Sequence, residues 1–407
     1  MRIIVVGAGI GGATLALALE RAGLDYVVLE QAPALTEVGA GIQLSPNGVR
    51  VLDWLGLADD LAEFCVEPGA HQFKEWDSGE NVLSTPLMPM ARDRFGAPYY
   101  HAHRADLIAA LAGRLNPARL RLGAEVVAVG QDGAGVTAEL AAGGRERGDV
   151  LIGADGIHSL VRNRVFNPGR PRPSGYLAWR GVVPADAAAD LDIGRYSFVV
   201  MGPRLSAVFY YISGGRLINW IAIGPAEDEK RESWSQTADG AELRAAFEGW
   251  YPQPRGLVEL TEDVFVTALH DRDPLPNWVD GRIAVMGDAA HAMLPYHAQG
   301  AVQGIEDAWV LARTLQLHGD DDPAAALRRY EALRKHRAQR LQQHSRNAER
   351  WYHLDDADEV AHRDARFRRH AEDNPDGFTK QQVWLYAYDA EQAALGTDDD
   401  WRALPDW

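Results

Sequence analysis

Residues 2–31, "RIIVVGAGIGGATLALALERAGLDYVVLEQ", alternate between two kinds of hydrophobic run. Ile3 to Val6 form an apolar, β-branched run too short for a helix, which predicts a buried strand. The Ala-Leu-rich stretch after it predicts a helix, and "YVVLE" a second strand ending at Glu30. A similar unit recurs late in the chain. Ile283 to Met286 read as a strand ending in Gly287-Asp288; a loop carrying Pro295 follows, then a helix from about Ala298. Val302, Ile305, Ala308 or Trp309, and Leu311 mark that helix's core face.

Between these units the period changes. "YLAWRGVV", "YSFVVMG", "RLSAVFYYI" and "RLINWIAIG" are short β-branched and aromatic runs bounded by Gly and Pro, which predict a strand-rich layer over 174–267. "PGRPRPSG" leads into it, "DRDPLPNW" leads out, and 73–97 is expected to join it. An Arg- and Gln-rich stretch from Pro323 to about Leu354 has charges on most faces and predicts a solvated outer helix or an oligomer contact. The acidic end, "GTDDDWRALPDW", reads as a solubilising tail. The expected fold is α/β: a Rossmann-like domain from 1–72, 98–173 and 268–322, an inserted mixed β-sheet substrate layer from 73–97 and 174–267, and C-terminal helices with the tail over 323–407.

Chemistry enters with the glycines. Gly7, Gly9 and Gly12 follow the first strand as G-x-G-x-x-G. The first permits a tight turn, the second lets backbone approach a pyrophosphate, and the third lets the helix pack close to the sheet. The helix N-terminus offers free N–H groups to phosphate. Glu30, roughly 20 residues on, is spaced to accept hydrogen bonds from a ribose. This unit predicts dinucleotide binding without choosing between NAD and FAD. In the late unit, Asp288 falls at a strand end where ligands bind in open α/β sheets, and Gly300-Ala301 opens a helix.

Composition narrows the partners. The 407 residues suit two domains or one large domain with an inserted layer. A net charge of −17 disfavours nucleic acid and anionic membrane surfaces. No apolar run approaches the ~20 residues of a membrane span, and a strand starting almost at residue 1 leaves no room for a signal peptide, so a cytoplasmic location is expected. Cys65, the lone cysteine, is expected to be a buried bystander. His291 and His297 lack the spacing of a helical zinc pair, and no serine sits in a nucleophile elbow, so neither a metal nor a serine triad is expected.

"GAGIGG" with Glu30, "HRADL" from His103 to Leu107, "DVLIGADGIHSLVR" from Asp149 to Arg162, and "GDAAHAMLPYHAQGAVQGIEDA" occur in order. Together they resemble the motif set of single-component flavoprotein monooxygenases, the aromatic-ring hydroxylases, over residues 1 to about 395. Within that group the chain looks most like salicylate hydroxylases, and also like 3-hydroxybenzoate 6-hydroxylase and 6-hydroxynicotinate 3-monooxygenase. The resemblance implies FAD as cofactor and NAD(P)H and O₂ as co-substrates, with no separate nucleotide domain. It assigns the adenosine ribose to Glu30, the pyrophosphate to Arg104, and joint support of FAD and the nicotinamide nucleotide to Asp155. Asp288 would hold the ribityl or pyrophosphate region, Pro295 would lie near the flavin edge, and Gly300 and Ala301 would face the pyrimidine end. Gln43 matches a segment near the flavin ring. A monomer or homodimer is the family habit.

The hydroperoxide chemistry implied by the resemblance favours a phenolate substrate, which calls for a group able to accept the phenolic proton in a dry pocket. Tyr210 and Tyr211, of which alternation aims only one at the pocket, and Tyr296 and His297 are the candidates. Arg180, and less strongly Arg204, are candidate partners for a substrate carboxylate. The chain departs from relatives that carry histidine where Tyr296 stands, or on the strand where Leu205 and Ser206 stand. The leading expectation is hydroxylation of a small aromatic acid, with salicylate-type, decarboxylative attack first. A 3-hydroxybenzoate, a hydroxypyridine carboxylate or a larger biosynthetic aromatic are alternatives. An FAD reductase without oxygen transfer and a flavin-binding scaffold remain competing functions.

Overall fold

The computed structural model describes residues 1–36, 40–167, 169–226, 236–237, 240–374 and 376–397. The tail beyond 397 lies outside them. The N-terminal apolar run forms the strand Arg2–Val6 at the heart of a six-stranded sheet. Across that sheet the order is Val279–Asp280, Ile283–Val285, Val150–Gly153, Arg2–Val6, Asp25–Leu29 and Leu120–Arg121; every pair is parallel except the first. Ile3, Ile4 and Val5 are fully buried because elements cover both faces, as parallel sheets require. The helices Ile10–Arg21 and Gly300–His318 pack together against this sheet.

The four strand-like runs of the middle segment join a mixed eight-stranded sheet, in the order Gln236–Thr237, Phe265–Asp271, Arg172–Pro184, Leu217–Pro225, Ser206–Ile212, Ser197–Met201, Ala70–Glu75 and Asn81–Pro86. The 73–97 segment contributes to the last two strands, with Ser197–Met201 and Ala70–Glu75 pairing in parallel. Side-chain alternation gives this sheet two different faces. Phe198, Val200, Ala207, Phe209, Ile218 and Trp220 make one core with Leu243 and Leu257 from the helices Gly240–Ala246 and Pro252–Leu260 and with Phe247 from the turn between them. The residues between them look the other way, into a cavity.

The stretch from Pro323 is one helix, Pro323–Tyr352, but it is not a solvated outer helix. Its inner face buries Arg334 and Arg337 completely against Glu306 and Asp307 of Gly300–His318. Arg334 Nε donates to Asp307 at 2.8 Å and Arg337 Nε to Glu306 at 2.9 Å. The hydrophobicity pattern misled because paired charges replace apolar residues at the helix–helix contact, and pairing is invisible in a one-residue hydropathy value. Cys65 is buried, and burial pushes its thiol well up, away from the reactive thiolate.

Candidate active site

The glycine turn behaves as a cradle with tight walls and one open side. Gly7 has φ of +99°, and a Cβ there would meet the Ala154 carbonyl oxygen at 2.6 Å. At Gly12 it would come within 2.1 Å of the Gly7 oxygen. Around Gly9 it would meet nothing within 4 Å, so backbone N–H groups stay approachable. The Glu30 carboxylate accepts from the backbone N–H groups of Ala8 at 2.7 Å and Ala32 at 2.8 Å, which holds it beside the turn. Asp155 accepts from Ser159 Oγ at 2.5 Å and from Val161 N at 3.1 Å. Its carboxylate thereby fixes the start of the helix Leu160–Phe166, while burial raises its pKa against those hydrogen bonds.

The late unit closes the other side. Gly287 adopts φ of +56°, and Asp288, exposed, opens the one-turn helix Asp288–His291. A Cβ on Gly300 would lie 3.8 Å from Asp288 Oδ1, so the carboxylate sits beside the N-terminus of Gly300–His318. The motif's first histidine, His291, is buried, and its Nε2 meets Asp307 at 2.6 Å. The same Asp307 accepts from Gly287 N at 2.9 Å and from Arg334. Burial raises the Asp307 pKa, but His291 and Arg334 more than offset that and hold it down at about 2. This network anchors the strand end that presents Asp288.

Between the two sheets opens a cavity of about 920 Å³. Asp288, Pro295, Gly300, Ala301, Gln43 and Arg104 line one part of it. Tyr210 faces it from the broad sheet, with its ring 4.2 Å from His101 and its hydroxyl paired with Gln43; burial holds its pKa well above 10. Tyr211 points into the opposite core and donates to the Ile193 carbonyl at 3.0 Å. Tyr296 and His297 both line the cavity. The Tyr296 hydroxyl is buried with no hydrogen-bond partner among the described residues, and burial raises its pKa steeply. His297 Nε2 lies 3.3 Å from Gln381 Nε2, and burial lowers its pKa to about 4. Arg180 also lines the cavity and donates to Thr267 Oγ1; burial lowers its pKa, Tyr210 opposes this, and Arg104 adds to it. Arg204 is exposed in the turn before Ser206 and is not among the cavity's lining residues.

Sequence reasoning missed part of the wall. His71 and Asn219 belong to the same sheet row as Tyr210, because His71 pairs with Ser197 and Tyr210 with Asn219. Both ring nitrogens of His71 and of His101 are buried without partners among the described residues, and burial lowers the His71 pKa to about 4. Asn219 Oδ1 accepts from Gly41 N at 2.6 Å. A further wall comes from His344, Ala348 and Tyr352 of the long helix. Where Ser206 stands, a histidine arrives from elsewhere: His353 Nε2 meets Ser206 Oγ at 2.9 Å. The expected boundary after residue 72 left His71 in the dinucleotide domain, whereas its strand, Ala70–Glu75, belongs to the broad sheet; nothing in the sequence pointed to His353.

A family model described as an FAD binding domain matches residues 1–345. This chain belongs to that family. A 3-amino-4-hydroxybenzoate 2-monooxygenase of Streptomyces platensis is 39% identical over 390 residues, 96% of each chain. A 3-hydroxybenzoate 6-hydroxylase of Aquipseudomonas alcaligenes is 38% identical over 85% of this chain and 88% of its own. The salicylate hydroxylase substrate complex superimposes with a TM-score of 0.83 at 27% identity, covering 98% of both chains. The protein is therefore an FAD-dependent aromatic monooxygenase, and the resemblance expected from its motifs is confirmed. The residues fit the cofactor: the open side at Gly9, the helix N-terminus at Gly300-Ala301 and the cavity beside them suit an anionic dinucleotide carrying a flat ring.

Proposed function

We propose that this flavoprotein uses NAD(P)H and O₂ to hydroxylate a small hydroxy- or aminohydroxybenzoate, bound by its carboxylate at Arg180. One observation carries the reading. Arg180 is a largely buried cation whose described contact is a hydroxyl, Thr267 Oγ1, and it makes no ion pair among the described residues. A buried charge left without a counter-ion is costly, so a ligand carboxylate is the natural partner. The extent of the Streptomyces relative favours an aminohydroxybenzoate over salicylate as the first compound to try.

FAD, when bound and reduced, would activate O₂ as an electrophilic oxygen donor. Overall one oxygen atom of O₂ enters the ring, and the other leaves as water with the two electrons of NAD(P)H. The chain's own residues orient and insulate. Arg180 fixes the acid end, and the raised pKa of Tyr210 keeps its hydroxyl a donor for a phenolate oxygen. Tyr296 offers a second hydroxyl that no described residue satisfies. Phe73, Val199, Val208 and Ile221 keep the ring's surroundings dry.

The test is oxidation of NADH and NADPH by the yellow protein with a panel of hydroxybenzoates, aminohydroxybenzoates and hydroxypyridine carboxylates, following hydroxylated product and H₂O₂ together. An acid that accelerates oxidation many-fold with matching product establishes the reading. Peroxide alone from every acid would overturn the substrate class.

A further inference from the structure

The cavity does not stop at the flavin loop. Its lining continues between the long helix, the helix Ala357–Asp373 and the helix Lys380–Tyr386, and ends among exposed side chains: Trp351, Arg366 and Lys380. Phe367 and Gln381 lie between this outer rim and the interior, and Gln381 in turn meets His297. One lined cavity therefore runs from these exposed residues to Arg180.

The charge along this path runs against the rest of the chain. The protein carries a net charge of −17, yet the charged residues lining the cavity are Arg104, Arg180, Arg366 and Lys380 against a single acid, Asp288. Arg180 and Arg104 stand inside, and Arg366 and Lys380 stand at the mouth. Arg366 lies over the Trp351 ring at 5.8 Å, and neither Arg366 nor Lys380 makes an ion pair among the described residues. Two cations that make no ion pair among the described residues, at the mouth of a low-dielectric channel, focus the field on an approaching anion in a molecule of net negative charge. An aromatic rim residue gives the ring of that anion a surface to slide against.

We propose that the aromatic carboxylate enters through this mouth, drawn by Arg366 and Lys380 and passed inward to Arg180. The inference rests on the carboxylate reading above and adds the route. Steering of this kind acts on the association rate and leaves the bound complex almost untouched. Reversing both rim charges should therefore slow capture without slowing the chemistry.

The experiment uses the FAD-loaded full chain, with wild type compared with an R366E/K380E variant and with an R366M/K380M variant that carries no new charge. The probe is 3-amino-4-hydroxybenzoate, with its uncharged carboxamide as control, and binding is followed by stopped-flow through the flavin absorbance. The expected result is a roughly ten-fold lower association rate for the acid in the reversed variant at low salt, shrinking toward unity at high salt. The neutral variant should fall between, while dissociation of the acid, kcat and association of the carboxamide stay unchanged. An association rate indifferent to both rim charges and salt would overturn the route while leaving the carboxylate reading intact. So would an equal fall for acid and carboxamide, which would mark a change of shape. Failure of any acid in the panel to bind wild type would overturn the carboxylate reading and the route with it.

Discussion

The two halves of the site are built from different materials. The dinucleotide end is mostly backbone: a positive-φ glycine, a glycine whose missing Cβ lets a helix touch the strand, and the first N–H groups of a long helix. The substrate end is mostly side chain, contributed by several strands and by the helix Pro323–Tyr352. Backbone geometry admits few substitutions where the walls are tight, because a Cβ at Gly7 or Gly12 collides whatever its chemistry. A wall of side chains can change one residue at a time and keep its fold. Relatives named for different aromatic acids fit this division: they share the frame while differing in the compound they act upon.

The largest expected effects separate two glycines of the same turn. Gly12→Ala forces a Cβ to 2.1 Å from a backbone oxygen that cannot swing away. It should abolish the yellow colour of the purified protein and destabilise the flavin-free chain by several kcal/mol, on the order of an overpacked core. Gly9→Ala has φ of −65° and empty space around the new methyl. It should leave the flavin-free chain within about 0.5 kcal/mol of wild type and still weaken FAD binding ten-fold or more. Urea unfolding of the apoprotein with FAD titration reads both. Equal apoprotein stability for the two variants would break the contrast drawn between frame and ligand face.

Next in size is the charged contact beneath the site. Arg334→Met leaves Asp307 and Glu306 short of a partner in a fully buried place, and should cost about 3–5 kcal/mol in denaturant unfolding. Because Asp307 also holds Gly287 N and His291, FAD affinity should fall with stability. A variant that unfolds at the wild-type midpoint would show the network to be dispensable.

This network also marks where the sequence stops being legible. The strand–glycine–helix–strand unit could be read locally, since the turn's φ at Gly7 and the approach of Gly12 to the Gly7 oxygen are set within the unit itself. So could the alternation that sends one of Tyr210 and Tyr211 inward. Arg334 and Arg337 could not, because their burial depends on carboxylates about thirty positions earlier on another helix. His71 and Tyr210 are 139 positions apart and become neighbours in a row only through the pairing of three strands. His353 reaches Ser206 from the end of a helix that looked solvent-facing. Non-local pairing, not weak local propensity, hides the substrate wall.

The two adjacent tyrosines sharpen the same contrast on a single strand. Tyr211→Phe loses one hydrogen bond to a carbonyl in the far core and should cost about 1 kcal/mol of stability, with turnover unchanged. Tyr210→Phe should leave stability within about 1 kcal/mol and lower hydroxylated product per NAD(P)H oxidised, on the order of ten-fold. Parallel unfolding and coupling measurements would distinguish them. Matching losses of coupling in both variants would mean that the face of the strand does not decide function.

The smallest effect is a pH dependence of the wall itself. Burial lowers the pKa of His71, His297, His344 and His353 to about 4, below the ordinary value of 6.5. Each imidazole is thus neutral in the folded state while the unfolded chain binds its proton near pH 6.5. The stability this represents is fully present above pH 6.5 and is lost as pH falls toward 4. Glu349 works the other way: burial raises it to about 6, so its protonation favours the folded state over part of the same window. Asp307, held near 2, does not titrate there. Asp53 and Asp155 are raised as well, and His101, His158 and His370 are lowered; seven lowered imidazoles outweigh three raised carboxyls, so the urea midpoint should fall between pH 7 and pH 5. His71→Asn should flatten that fall, because Asn keeps a polar side chain on the wall and removes the proton-binding site. If the slope for the variant equals that of wild type, His71 is solvated and charged in the native protein, and the dry wall assigned to the substrate end loses one of its sides.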